Sequence, residues 1–189
     1  LHNFGGNIGL YGKARYIAYE PARMLKEQKK GNLSGIGLTM EAIEQNAVIY
    51  HLMLEHVWNT EPVNVDEWIK GWISRRYGTC NEAAMQAWKV MLNTVYRNNK
   101  KDQGPAESML SGRPTFNENS AWTWTDLNYY SNRDFAPAWK YMIEAADDLS
   151  DSNGFAYDLV DMTRQAMANY ATSLHRQAAY TYWAGDLET

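Results

Sequence analysis

A single cysteine, Cys80, excludes an internal disulfide framework and any cysteine-rich zinc site. An excess of positive charge is also missing: 18 Lys and Arg stand against 22 Asp and Glu, for a formal net charge of -4. The densest basic stretch, Lys26, Lys29 and Lys30, is interrupted by Glu27 and Gln28. Such a chain has no electrostatic footprint for nucleic acid or for an anionic membrane surface. No segment approaches the roughly 18 consecutive apolar residues of a membrane span. The start, Leu1-His2-Asn3, carries neither an initiator Met nor a signal peptide, so the chain is expected to be part of something longer. Its 189 residues suit one domain, or one domain with a piece of another.

Glycine is concentrated early, at 5, 6, 9, 12, 31, 35 and 37, which makes the first forty residues loop-and-strand territory with one helical candidate from Ala14 to about Lys30. Gly35-Ile36-Gly37-Leu38-Thr39-Met40 reads as a short buried strand running into a helix that begins near Glu41. That helix, through Ile43, Val48, Leu52 and Val57, is apolar enough to be buried on several sides, and it ends near Asn59. Asn64 and Glu67 form a capping-box-like start for a helix carrying Val65, Trp68, Ile69, Trp72 and Ile73, stopped by Gly78. Thr79 and Glu82 repeat the device before Ala84, Trp88, Met91, Leu92 and Val95. Residues 98 to 132, rich in Gly, Pro, Asn and Ser, form a long loop suited to shaping a cleft. Two more helical patterns follow, one on Phe135, Trp139, Met142, Ile143 and Ala146, the other on Leu159, Met162, Ala166, Tyr170 and Leu174.

Several chemical motifs fail on spacing. The run from Gly5 to Gly12 has neither G-x-G-x-x-G spacing nor a G-K-[ST] ending, since Ala14 follows Lys13, so a tight turn with close backbone approach is the better use of these glycines. His51, Glu55 and His56 resemble an inverted zinc-protease motif with one residue too many, which turns the two imidazoles roughly 140° apart on a helix. No G-x-S-x-G elbow is present. No metal and no cofactor are expected. Asn32-Leu33-Ser34 is a glycosylation sequon, relevant only to a secreted eukaryotic protein. Trp68, Trp72, Trp88 and Trp139 sit on helical stripes and read as core, whereas Trp122, Trp124, Tyr129 and Tyr130, in the long loop region, are freer to stack on a ligand. Glu41, taken alone, is an acidic residue in the first turn of a helix, favoured there by the helix dipole.

The surrounding sequence changes that reading. His2-Asn3-Phe4-Gly5-Gly6-Asn7-Ile8-Gly9-Leu10-Tyr11-Gly12 and Gly35-Ile36-Gly37-Leu38-Thr39-Met40-Glu41-Ala42-Ile43-Glu44-Gln45-Asn46 closely resemble two signature stretches of the α-N-acetylglucosaminidases, glycoside hydrolase family 89. Arg75-Arg76-Tyr77-Gly78, Arg113-Pro114 and the stretch from Leu159 to Ala166 resemble the family's helical region, so the likeness covers essentially the whole chain. It implies a mainly α chain: residues 1–58 as the last strand and helix portion of a (β/α)8 barrel, and 59–189 as an incomplete all-α domain. It also implies that Glu41 is the catalytic nucleophile, that His2, Asn3 and Phe4 belong to the sugar pocket, and that the general acid/base lies in an earlier barrel strand outside this chain. Two positions depart from the pattern: Ala42 stands where many relatives have Gly, and Pro105 stands roughly where some have a pocket His.

A retaining glycosidase needs two carboxyl groups about 5 to 5.5 Å apart, one to attack the anomeric carbon and one to protonate the leaving oxygen. In an α-linked N-acetylglucosaminide the substrate's own acetamido oxygen lies on the wrong side for backside attack, so the protein must supply the nucleophile. A Glu at the carboxyl end of a barrel strand is placed for that work. The expected partner is therefore a glycan ending in α-linked N-acetylglucosamine, with no nucleic acid and no membrane span, in an extracytoplasmic setting: secreted or periplasmic, or lysosomal in an animal. The isolated chain, lacking its proton donor, is expected to be inactive. The main rival is a non-catalytic helical module that binds glycans or scaffolds an assembly; a metal-dependent hydrolase is a third option. Oligomeric state is left open.

Overall fold

The computed structural model describes residues 9–28, 31–39, 46–97, 115–116 and 129–186. Six α-helices order the chain: α1 Ala14–Lys26, α2 Ala47–Glu55, α3 Val65–Tyr77, α4 Glu82–Asn93, α5 Asn132–Glu144 and α6 Asn153–Trp183, with a 3-10 turn, His56–Trp58, continuing α2. The described part is thus mainly α, and it contains no strand. Backbone pairing is limited to contacts such as the antiparallel bridge of Lys13 with Arg97, flanked by Gly12 N–H to Val95 O (3.2 Å) and Ala14 N–H to Tyr96 O (3.0 Å).

Helix boundaries follow local chemistry. The Asn64 side chain accepts from the N–H groups of Asp66 and Glu67, and Gly78 closes α3 in the left-handed region at φ 80°. Asp66 and Glu67 at the start and Arg75 and Arg76 at the end complement the α3 dipole. At α4 the expected Thr79 cap is replaced by Asn81, which directly precedes the helix with extended backbone and accepts from Ala84 N–H at 3.0 Å. Asn is the stronger capping residue, and its position is the one the first orphan donors can reach. Ser131 and Ser152 cap α5 and α6 in the same way. Helix α1 ends at Lys26, short of Lys30, and runs through Pro21 despite the intrahelical bond that its ring removes.

One core joins the six helices, running from Leu10 and Ile17 through Val48, Leu52, Ile73, Trp88 and Met91 to Phe135, Phe155 and Met162. Its centre is aromatic. Trp72 and Trp88 meet edge to face at 4.7 Å, Trp88 stacks on Tyr96 at 6.1 Å, and Tyr77 meets Phe155 edge to face at 5.4 Å. The core reading of Trp72 and Trp88 therefore holds, while Trp68 and Trp139 are half-buried at its margin.

Four sequence expectations are overturned. Of the strand expected over Gly35 to Met40, Gly35 to Leu38 carry no strand and are exposed or half-buried, and only Thr39 sits in a single bridge. Met40 lies outside the described residues. Helix α2 buries Val48, Ile49, Tyr50 and Leu52 but leaves Leu54 and Val57 exposed and Trp58 86% exposed, so its burial is one-sided. On α6, Tyr170 and Leu174 face solvent, and the buried face is Phe155, Asp158, Met162, Gln165, Ala168, Asn169 and Thr172. On α5 Ile143 is likewise exposed while Ala138 is buried.

Candidate active site

Glu41, His2, Asn3 and Phe4 lie outside the described residues, as do Trp122, Trp124 and Pro105. What is described is the chain immediately behind them: Gly9 to Gly12, which follows the His2-Asn3-Phe4 stretch, and Asn46 with the start of α2, which follows Glu41. These two segments converge on one amide. Asn46 Oδ1 accepts from Tyr11 N–H at 3.0 Å and from the Tyr96 hydroxyl at 3.0 Å, and Asn46 Nδ2 donates to Gly9 O at 3.4 Å. Both lone pairs of Oδ1 and one N–H of Nδ2 are thus in use at this half-buried position.

Close packing holds the same segment from its other side. A Cβ on Gly12 would fall 2.5 Å from Ile49 Cδ1 and 2.9 Å from Tyr96 Cδ1. Only glycine lets the backbone come this near α2 and residue 96, the close approach expected of the glycine run. Tyr96 itself is buried and stacked on Trp88, and burial drives its hydroxyl well above the ordinary tyrosine value, so it stays a neutral donor to Asn46.

The helical region grips the loop as well. Gln165 Oε1, on α6, accepts from Leu10 N–H at 2.7 Å, and its Nε2 donates to Asn169 Oδ1 at 2.9 Å. Asn169 Nδ2 reaches the Tyr130 hydroxyl at 3.4 Å, while Asn132 Nδ2 donates to Asn169 O at 2.9 Å. Tyr129 donates to Val95 O and meets Tyr11 edge on at 6.1 Å. Tyr129 and Tyr130 are thus part of the packing between loop and helices rather than free platforms for a ligand. Burial raises both hydroxyls, Tyr130 to about 12.

A buried ion pair closes the far end of the aromatic core. Arg76 donates from Nε and Nη2 to Asp158 at 2.6 and 2.7 Å, the Tyr77 hydroxyl donates to Asp158 Oδ2 at 2.9 Å, and Trp88 Nε1–H donates to the Tyr77 oxygen at 2.7 Å. Burial pushes the Asp158 carboxyl up against the pull of Arg76. For Arg76 burial works the other way, and the bonds and field of Asp158 outweigh it and hold the guanidinium up. The pair ties α3 to α6 and, through Tyr77 and Trp88, to α4.

The zinc-like triplet separates in space. His51 Nδ1 accepts from Trp72 Nε1–H at 2.9 Å, Glu55 is bound by Trp68 Nε1–H (2.5 Å) and Arg75 (2.8 Å), and His56 is buried at 3% exposure with neither ring nitrogen hydrogen-bonded. Burial lowers both histidines below their ordinary value. Among the described residues no three His, Cys, Asp or Glu side chains are grouped to hold a metal ion. The gap bordered by Leu10, Asn46, Trp88, Tyr96 and Asp158 measures about 10 Å³, far below the roughly 300 Å³ of a small-molecule site, whereas a cleft between His51, Glu55, Trp58, Arg75 and Arg76 measures about 460 Å³ and another between Tyr16, Met24, Ile36 and His56 about 480 Å³.

Asn46, Gln165, Asn169 and Asp158 are what sequence reasoning missed. A signal was there: positions 158, 162, 165, 169 and 172 repeat at four- and three-residue intervals, the spacing of a buried helix face, but four of the five are polar and a search for apolar stripes passes over them.

The described residues form a mainly helical body packed against the segments that follow the two signature stretches, and the class to which such a chain is matched is that of glycoside hydrolases joining a barrel to a helical domain. The family model described as the α-N-acetylglucosaminidase tim-barrel domain matches residues 1–60, and that described as the α-N-acetylglucosaminidase C-terminal domain matches residues 68–189. The chain belongs to the α-N-acetylglucosaminidase family, glycoside hydrolase family 89. It is 34% identical over 191 aligned residues to human α-N-acetylglucosaminidase, covering 99% of this chain and 24% of that protein. Among solved structures, a family 89 glycoside hydrolase from Clostridium perfringens in complex with 2-acetamido-1,2-dideoxynojirmycin superimposes with a TM-score of 0.89 at 32% identity, covering 100% of this chain and 21% of that one. A form of the Clostridium perfringens enzyme with two Glu-to-Gln substitutions, in complex with its substrate GlcNAc-α-1,4-galactose, gives 0.88 at 32%, covering 98% and 21%. The chain therefore spans about a quarter of the curated relative and about a fifth of the solved structures. No helix among the described residues is long and apolar enough to cross a membrane.

Proposed function

We propose that this chain is the nucleophile-bearing part of an α-N-acetylglucosaminidase, which releases terminal non-reducing α-linked N-acetylglucosamine from glycans with retention of configuration. Glu41 attacks the anomeric carbon from the face opposite the leaving group and forms a covalent glycosyl-enzyme. A general acid/base from another part of the protein protonates the departing oxygen and then activates water. Ionised, Glu41 also stabilises the oxocarbenium-like transition state. Phe4 stacks on the sugar ring, with Asn3 and His2 beside it. Residues 1–58 are assigned to the end of the catalytic barrel and 59–189 to the helical domain. An extracytoplasmic or lysosomal setting goes with this reading.

The observation that carries it is the convergence, on Asn46, of the segments leading out of both signature stretches, in a chain whose family match runs through the two. The substrate named for the Clostridium perfringens relative supports the α-GlcNAc specificity. The test is Glu41→Gln in the full-length protein, assayed on an aryl α-N-acetylglucosaminide, with NMR of the first sugar released by the unsubstituted enzyme. Loss of turnover in a folded variant and an α-configured first product are expected. Full activity of Glu41→Gln removes that residue from the chemistry, and a β-configured product replaces retention by inversion.

A further inference from the structure

We propose that the cleft between the end of α2 and α3 is a saccharide-binding site, taking a neutral sugar unit whose ring lies on Trp58 and whose oxygens accept from His51 and Arg75. The cleft measures about 460 Å³, within the roughly 300–1,000 Å³ of small-molecule sites, and is bordered by His51, Leu54, Glu55, Trp58, Arg75 and Arg76. Trp58, in the turn that continues α2, is 86% exposed, and Leu54 is exposed as well. An indole left in water forfeits one of the largest apolar burials a side chain offers, and its flat face suits the C–H side of a pyranose ring. The site rests on described residues and is independent of the role of Glu41.

Hydrogen bonds already present fix what the polar groups offer. Trp72 Nε1–H can only donate, and it donates to His51 Nδ1 at 2.9 Å, so the single proton of the neutral imidazole sits on Nε2. Burial, followed by the field of Arg76, lowers the ring below its ordinary value and keeps it neutral at about pH 7. His51 therefore presents an N–H donor, and Nε2 makes no hydrogen bond among the described residues. Arg75 spends Nη2 on Glu55 at 2.8 Å and has Nε and Nη1 left to donate. Charge then selects the ligand. Arg75 is matched by Glu55, and Arg76 by Asp158. Neither cation is left over for a carboxylate, sulfate or phosphate, whose binding would break an existing pair. Hydroxyl and acetamido oxygens accept from the same donors without bringing a charge into the cleft. A pyranose, with C–H groups on its face and oxygens around its rim, meets both surfaces.

The test uses the full-length protein made with fluorine-labelled tryptophan, the Trp58 resonance being identified by its disappearance in Trp58→Phe. Chitotriose is the neutral probe and trigalacturonate the anionic one. The Trp58 resonance is expected to shift saturably with chitotriose and to stay in place with trigalacturonate. Arg75→Met and His51→Leu, which each remove a donor, should raise the Kd for chitotriose read at that resonance by about 10-fold. Melting curves set the folded fraction of each variant. Should His51→Leu not fold, since it also takes the acceptor from Trp72 Nε1–H, Arg75→Met on its exposed side chain decides alone. A Trp58 resonance unmoved by chitotriose overturns the proposal, whether other parts of the protein cover the cleft or no sugar lodges there. So does a response to trigalacturonate equal to or stronger than that to chitotriose, and so does an unchanged Kd in the folded variants.

Discussion

Replacing Asp158 by Asn is expected to be among the most destabilising single changes in the helical region. The native carboxylate receives two bonds from Arg76, at 2.6 and 2.7 Å, and one from the Tyr77 hydroxyl at 2.9 Å, while the side chains of Arg76 and Asp158 are only 19% and 9% exposed. The substitution keeps the volume but removes the counter-charge, and turns an N–H group towards donors that need an acceptor. Arg76 is also held over Trp72, 5.1 Å from the ring centroid, and over Tyr157 at 5.7 Å, so reaching solvent means giving up these contacts too. Breaking a buried pair from one side typically costs about 3–5 kcal/mol, and each kcal/mol moves Tm by roughly 2–4 °C in a chain of this size, so a fall of about 10 °C is expected. The assay is thermal denaturation of the chain followed by circular dichroism. Because desolvation offsets most of the attraction within the intact pair, Arg76→Met combined with Asp158→Leu should recover much of the loss. An Asp158→Asn variant melting within about 2 °C of the parent chain, less than 1 kcal/mol, would show that water screens the pair and refute the reasoning.

Gly12→Ala is expected to cost about 1–3 kcal/mol through the clash of its Cβ with Ile49 and Tyr96, read as a lower urea midpoint, with Ile49→Ala in the same chain giving part of it back. An unchanged midpoint would mean that the backbone has room to shift. Stability should also fall on acidification through His56, whose folded-state value burial lowers: the unfolded chain takes up the proton first, so the contribution is complete above about pH 6.5 and is lost progressively below it. Melting temperatures across that range should slope less in His56→Leu than in the parent chain; parallel slopes would assign the acid sensitivity elsewhere.

Much of the secondary structure was legible because it is written locally. The Asn64 cap and the Gly78 stop of α3 are chemistry within one helical turn, and the stripes of α3 and α4 mark Trp72 and Trp88 as core without any knowledge of what they meet. Where local signals competed, the reading slipped by a residue or two, as at the α4 cap, where Asn81 displaced Thr79. On α6 the apolar stripe through Tyr170 and Leu174 pointed to one face while a polar one is buried, because burial there is decided by partners arriving from Leu10, Arg76 and Tyr130.

By itself, then, the sequence determined most of the helices, the Asn64 and Gly78 ends of α3, the core places of Trp72 and Trp88 and membership of the family, since each rests on a pattern contained in neighbouring residues or in a contiguous motif. Tertiary structure alone decided the meeting of Asn46 with Tyr11 and Tyr96, across 35 and 50 positions, and of Gln165 with Leu10, across 155. A polar side chain carries no periodic mark of its distant partner. Whether it is solvated or buried in a network is settled only when packing brings the complementary donor or acceptor within about 3 Å of it.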